Sequence, residues 1–463
     1  MRNLVWGVAA LLMASAAHAQ TADVTPISAE QQRVVERLRT AALADDNAWA
    51  ITEGLVTEIG PRLAGSDAEA RARDWAVAML REHGFSNVRI EPFAIPFWDA
   101  TVERAQVIAP ATYDLHIAAL GGSPSTPPGG LEAEIVRFAD MAALEAASEA
   151  QVSGRIVFID EHMQRTQDGS GYGAAVVKRG QCAPVAQARG AAACLIRAVG
   201  TDSHRFPHQG GASRQPQGAS LPAAALSAPD ADQLARLLQR GPVRVRLEIE
   251  SEMRDNVQSG NVIAEIRGRE SPDEIVLLAA HLDSWDAGQG AIDDASGVGI
   301  ITAAARLIRD LPRRPRRTIR LLLAGAEENG VHGGAAYAAA HADETHVIAA
   351  ESDFGAGRVW RFNTRFADAA LPHGRAIQRQ LAPLGVIAGT NQAFGGADIG
   401  ALRQNAGVPV VDLAQDGSDY FDYHHTADDT LDKIDPEALR QNVAAYAVFA
   451  YLTAENEWTF REP

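Results

Sequence analysis

The stretch His281-Leu-Asp283-Ser-Trp-Asp-Ala-Gly-Gln-Gly-Ala-Ile-Asp293-Asp294 follows directly on the apolar run Ile275-Val-Leu-Leu-Ala-Ala280, and this junction decides how the chain is read. The run reads as a buried strand, so His281 and Asp283 emerge together where it ends. Side chains two apart on an extended backbone share a face. One ring nitrogen of His281 can then take a cation while Asp283 accepts a hydrogen bond from the other. Alone, the stretch suits a capped histidine in a polar loop equally well, and the weight comes from the segments around it.

Outward from this junction the pattern is strand, loop, helix, strand, over residues 275–280, 297–309 and 318–324. That order implies a mainly parallel, mixed sheet flanked by helices, with its binding site outside the carboxyl ends of the strands. Upstream, Ser66-Asp-Ala-Glu69 has the form of a capping box, and Trp75, Met79 and Leu80 follow at helical spacing up to Gly84, which predicts a helix over 67–83. Residues 87–95 alternate as a strand. Between about 101 and 253 the texture changes to short strands (154–159, 193–198, 243–249), one small helix and a Gly, Pro and Gln-rich loop over 206–222. This predicts an inserted smaller β-rich domain at 106–252, between the two parts of an α/β domain at 20–105 and 253–463.

A chain of 463 residues exceeds what one core usually serves, in keeping with two domains. Its formal net charge of −17 argues against a nucleic-acid surface. Met1-Arg2-Asn3, an apolar run to Ala17 and Ala17-His-Ala19 have the three parts of a secretory signal, so residues 1–19 are expected to be removed near Ala19/Gln20. The run is too short for a membrane anchor, and a periplasmic or secreted protein is expected. Of the two cysteines, Cys182 and Cys194, the intervening residues look helical, which would hold the pair too far apart to bridge.

Further acids and histidines recur at the ends of apolar segments. Residues 318–324 run into Gly325-Ala-Glu327-Glu328, where one carboxylate can ligate while its neighbour takes a proton from water. Residues 346–350 lead to Glu351-Ser-Asp353, and Tyr423-His424-His425-Thr426 supplies paired histidines beside acids. A parallel sheet would gather these around one crevice. Imidazole and carboxylate without thiolate suit catalytic zinc, with manganese or cobalt as substitutes. Two histidines and three carboxylates, one bridging, make a two-metal site fitted to amide hydrolysis.

These residues resemble the M28 metallopeptidase family, and within it the carboxypeptidase Q branch. The resemblance rests on the 281–294 motif, Ile59-Gly-Pro-Arg-Leu-Ala-Gly-Ser66, Glu351-Ser-Asp-Phe-Gly355, Gly395-Gly-Ala-Asp-Ile399 and the Tyr-His-His segment. It implies one zinc on His281 and Asp353, a second on Glu328 and His425, and Asp293 bridging. It also implies Glu327 as general base, Asp283 orienting His281, a cis peptide at Asp293–Asp294, and a homodimer. His425 is taken over His424 because the family's ligand directly precedes Thr or Ser. His424, Asp398 and His208 are kept as substrate-proximal candidates, with a solvated loop the plainer reading of His208.

The inserted segment resembles a protease-associated domain. Ala295-Ser-Gly297 after the Asp pair departs from the branch toward the wider aminopeptidases and leaves the substrate end open. The expected activity is a metalloexopeptidase acting on dipeptides or short peptides. The alternatives are an aminopeptidase on longer peptides, a single-zinc glutaminyl cyclase, or a binding ectodomain without metals.

Overall fold

The structure is a computed structural model that describes residues 25–212 and 221–461. The expected signal segment and its cleavage point lie outside the described residues. Helix α1 (Asp67–Glu82) starts as its sequence predicts, with the Ser66 hydroxyl accepting the Glu69 N–H at 3.2 Å. Only that half of the capping box forms. The Glu69 carboxylate is fully buried, and takes the Gly65 N–H (3.0 Å) and the Ser259 hydroxyl (2.7 Å) instead of returning to the cap.

After α1 come strands β1 (Ser86–Ala109), β2 (Leu131–Phe138) and β3 (Ile156–Ile159), then helix α2 (Val177–Gln187), and strands β4 (Ala193–Arg197), β5 (Ala223–Leu226) and β6 (Arg244–Ile266). β1 and β6 pair antiparallel from Ser86 opposite Glu265 to Ala109 opposite Arg244. The runs 243–249 and 261–266, separate in the sequence reading, are thus two ends of one strand. Exposed polar residues between them carry no burial signal, and the ladder to β1 is what keeps them extended. This ribbon links residues 110–243 to the rest.

The stretch 106–252 is less strand-dominated than expected. β2, β3, β4 and β5 lie side by side in parallel, with helices including Ser170–Ala175, α2 and Ala228–Leu238 in the connections. It is therefore α/β in character. Cys182 and Cys194 are bridged, contrary to expectation, across a Cα–Cα distance of 6.3 Å. The chain is not one straight helix between them: α2 ends at Gln187, turns back at Gly190 (φ +74°), and returns as β4 against the helix.

The second half supplies β7 (Ser271–His281), α3 (Ser296–Arg309), β8 (Arg317–Ala324), β9 (Thr345–Glu351), β10 (Val359–Arg365), β11 (Val410–Gln415) and α4 (Pro436–Glu455). Their order across the sheet is β10-β11-β9-β7-β8-β6. β11, β9, β7 and β8 are parallel; β6 and β10 close the set antiparallel. Ile275 to Ala280 are all buried, because α3 and α4 cover one face and the 332–340 and 400–406 helices the other. Among the described residues no helix is long and apolar enough to cross a membrane.

Candidate metal centre and active site

β9, β7 and β8 are neighbours, and their carboxyl ends deliver Asp353, His281 and the Glu327-Glu328 pair to one place. His281 Nε2 stands 2.9 Å from Asp293 Oδ1 and 3.3 Å from Asp353 Oδ1. His425 Nε2 stands 2.9 Å from Glu328 Oε2 and 3.2 Å from Asp293 Oδ2. Asp293 therefore lies between the two histidines with one carboxylate oxygen toward each. Ligand atoms of His281, Asp293 and Asp353 fall within 4.8 Å of one another, as do those of Asp293, His424 and His425.

Asp283 is placed differently from its expected contact. His281 Nδ1 faces the main-chain carbonyl of Asp283 at 3.0 Å, whereas the carboxylate is 3.7 Å away. That carboxylate accepts the N–H groups of Glu327 (3.0 Å) and Glu328 (3.2 Å). β7 ends at His281, and the backbone then bends so that the Asp283 carbonyl, not its side chain, meets Nδ1 of the ring. A main-chain acceptor fixes the imidazole as well as a carboxylate does. Asp283 is thereby freed to hold the Glu327-Glu328 turn against the end of β7.

Other residues hold the loop from 281 to 294 in shape. Arg62, fully buried, donates from Nε to the Leu282 carbonyl (2.6 Å) and from its terminal nitrogens to the carbonyls of Gly60 (3.3 Å), Gln289 (2.8 Å) and Gly290 (2.8 Å). Asp429 accepts the N–H groups of Ala291 (2.8 Å), Ile292 (2.7 Å) and Asp293 (3.3 Å). Asp294 accepts the His281 N–H (3.0 Å) and the Gly297 N–H (3.1 Å), tying β7 to the start of α3, and the Asp293–Asp294 peptide is cis. Gly297 is required here: a Cβ would collide with the Ser352 carbonyl and the Asp294 carboxylate. Neither Arg62 nor Asp429 was singled out from the sequence. The Ile59–Ser66 motif was the one available pointer to Arg62.

The electrostatics call for cations. Burial and Asp353 push Glu327 well above the usual carboxylate range. Burial also raises Glu328 and Asp353. Burial would raise Asp293 too, but His281 and His425 outweigh it and hold that carboxyl well below its ordinary value. Burial alone would lower His281; Asp353 and its other acidic neighbours instead lift it well above the usual imidazole range. Glu328 Oε1 is buried with no hydrogen-bond partner. Four crowded carboxylates facing two imidazoles, one with an orphaned oxygen, fit a pair of divalent ions bound by O and N ligands.

The remaining candidates fall outside this set. His424 stacks on His425 with ring centroids 3.5 Å apart, and its Nε2 is 3.5 Å from Asp293 Oδ2. It reaches only one of the acids that His425 reaches, while His425 Nδ1 is fixed by the Gln209 carbonyl at 3.2 Å. Burial and His425 hold His424 well below the usual imidazole range, and its ring lines the cleft. His208 is not a solvated loop residue. It is 2% exposed, with Nδ1 on the His424 carbonyl (2.7 Å) and Nε2 on Asp202 (2.6 Å), which leaves no nitrogen for a substrate. Asp398 is buried, accepts the Gly334 N–H and donates its own N–H to Glu351. The cleft wall there is Ala397.

A cleft of about 710 Å³ opens onto Asp293, Glu327, Glu328, Asp353 and His425, with Leu63, Phe97, Trp98, Trp285 and Phe354 among its apolar walls. That volume suits a ligand of a few residues.

The sequence model of peptidase family M28 matches residues 261–450. Carboxypeptidase Q of Mus musculus is 35% identical over 405 residues, covering 87% of this chain and 84% of that protein. A crystal structure of a peptidase M28 precursor from Shewanella amazonensis SB2B is 47% identical, with a TM-score of 0.91 over 94% of this chain and 98% of that one. A zinc aminopeptidase of Bacillus subtilis shares the fold at 20% identity, with a TM-score of 0.65 over 87% of this chain and 94% of that one. Matched at such identity over most of its length, the chain belongs to peptidase family M28 and is carboxypeptidase Q-like within it.

Proposed function

We propose that this M28 metallo-exopeptidase hydrolyses dipeptides or short peptides at a two-zinc centre. His281 and Asp353 would hold one ion, Glu328 and His425 the other, and Asp293 both. The observation that carries this reading is Asp293, with one oxygen toward each histidine. Zinc bound by these residues would supply Lewis-acid chemistry, polarising a carbonyl and lowering the pKa of water. Manganese or cobalt would suit the same ligands.

Glu327 would take a proton from the attacking water and pass it to the departing amine. Asp283 accepts the Glu327 main-chain N–H at 3.0 Å and so holds the backbone from which this side chain lines the cleft. The apolar walls exclude water and strengthen charge interactions inside the cleft. The reading also takes the mature enzyme to work outside the cytoplasm, where a Cys182–Cys194 bridge would persist.

The test is a dipeptide panel with the purified full chain. Cleavage of at least one dipeptide, its loss on chelation and its return with zinc are expected. A protein that binds no zinc and cleaves no member of a broad panel is a binding module that kept the fold.

A further inference from the structure

We propose that His208 is a positioning residue for one of the two metal ions, the one held by Glu328 and His425, and that the loop leaving β4 thereby sets the affinity of that ion and not of its neighbour. The inference rests on the two-zinc reading above and adds what makes the two sites unequal.

His425 needs a support of its own. The carboxyl ends of β7 and β9 place His281 and Asp353, with the sheet behind them and the Asp283 carbonyl against Nδ1 of His281. His425 instead follows the four-residue helix Tyr420–Tyr423, outside any strand, and its φ is +62°. A residue other than glycine stays in that left-handed region only where its surroundings hold it there.

The hold comes from two consecutive residues of the loop after β4. His208 Nδ1 donates to the His424 carbonyl at 2.7 Å, and the Gln209 N–H donates to the His425 carbonyl at 2.9 Å. The His424 carbonyl and the His425 N–H belong to one planar peptide. His208 therefore fixes the plane from which the His425 side chain departs. The ring is fixed in turn by the Gln209 carbonyl, which accepts from His425 Nδ1 at 3.2 Å and leaves Nε2 facing Glu328 and Asp293.

His208 is itself held. Its Nε2 meets Asp202 Oδ2 at 2.6 Å, with both side chains almost fully buried. Gly200 packs against the ring, where a Cβ would overlap Nε2. The same loop is fastened to the 420–423 helix by the Thr201 N–H on the Phe421 carbonyl (3.0 Å) and by the Thr201 hydroxyl on Asp422 (2.8 Å). Gln209 carries the tie on to the 281–294 loop, where its side chain bonds Asp286 (2.9 Å) and the Ala287 N–H (3.0 Å). With both ring nitrogens spent on protein groups, His208 acts on the ion through His425.

The test titrates zinc into the metal-free full chain of the wild type, His208→Phe and His208→Asn. Phe keeps a ring but has no donor, whereas the Asn amide can return a donor to the Nδ1 position. The wild type is expected to take two equivalents. His208→Phe should bind one as the wild type does and the other about 10- to 100-fold more weakly. At limiting zinc, the anomalous diffraction peak beside Glu328 and His425 should be the one that fades. Excess zinc should restore turnover of a cleaved dipeptide to His208→Phe, and His208→Asn should recover part of the affinity.

A His208→Phe chain that binds both ions as tightly as the wild type overturns the assignment and leaves the two-zinc reading intact. So does an Asn variant no better than Phe, since the donor is then not what counts. A metal-free His208→Phe chain that unfolds well below the wild type also overturns it, because that marks a histidine serving the fold. A wild type that takes fewer than two zinc ions overturns the two-zinc reading itself, and this inference with it.

Discussion

Replacing Glu327 by Gln lowers kcat by about 10²- to 10⁴-fold while the protein keeps its full metal content. The side chain keeps its size and reach but can no longer accept a proton, so the change isolates one chemical role. Its backbone stays in place, because Asp283 holds the Glu327 main chain rather than its carboxylate. The carboxylate lines the cleft and stands apart from the contacts made by His281, Asp293, Asp353, Glu328 and His425. Kinetics on a cleaved dipeptide and metal analysis on the same sample check both halves. An active Glu327→Gln enzyme would move the base elsewhere, and an inactive one stripped of metal would make Glu327 a ligand.

Arg62→Ala is expected to cost the most in stability, about 3–5 kcal/mol by denaturant unfolding. The substitution leaves the carbonyls of Gly60, Leu282, Gln289 and Gly290 without their donor in a fully buried place. It also removes the cation beside Asp429 and Asp283, whose charges favour the protonated guanidinium against its burial. Arg62→Lys should restore little. One ammonium cannot span carbonyls on both sides of the loop, where the planar fork of Arg does so from one position. Since the same loop carries His281 and Asp293, zinc affinity should fall with stability. A variant within about 0.5 kcal/mol of wild type would show that the loop is shaped without Arg62.

How far the site could be read from sequence depended on where each residue sits relative to a strand. His281, Glu327 and Asp353 follow largely apolar segments, and a parallel sheet has one place to put residues at such ends. Their gathering was legible for that reason. Asp293, Glu328 and His425 needed the family resemblance to be given separate jobs.

Residues whose role is to hold main chain were not legible. Arg62 bonds only carbonyls, Asp429 only N–H groups, and Asp283 spends its carboxylate on a turn more than forty residues away. No pattern of side-chain types records such partners. The same limit hid the Cys182–Cys194 bridge, which depends on the chain turning back at Gly190, and the continuity of β6 through exposed polar residues. His208 misled because a loop rich in Gly and Pro suggested exposure, whereas Asp202 and the His424 carbonyl bury it.

The central claim is that Asp293 joins two metal ions held by His281 with Asp353 and by Glu328 with His425. Anomalous diffraction at the zinc edge from crystals of the zinc-loaded full chain tests it most directly. Two peaks about 3.5–4 Å apart, one on either side of the Asp293 carboxylate, are predicted. A single peak, or a second ion on His424 in place of His425, would contradict the account.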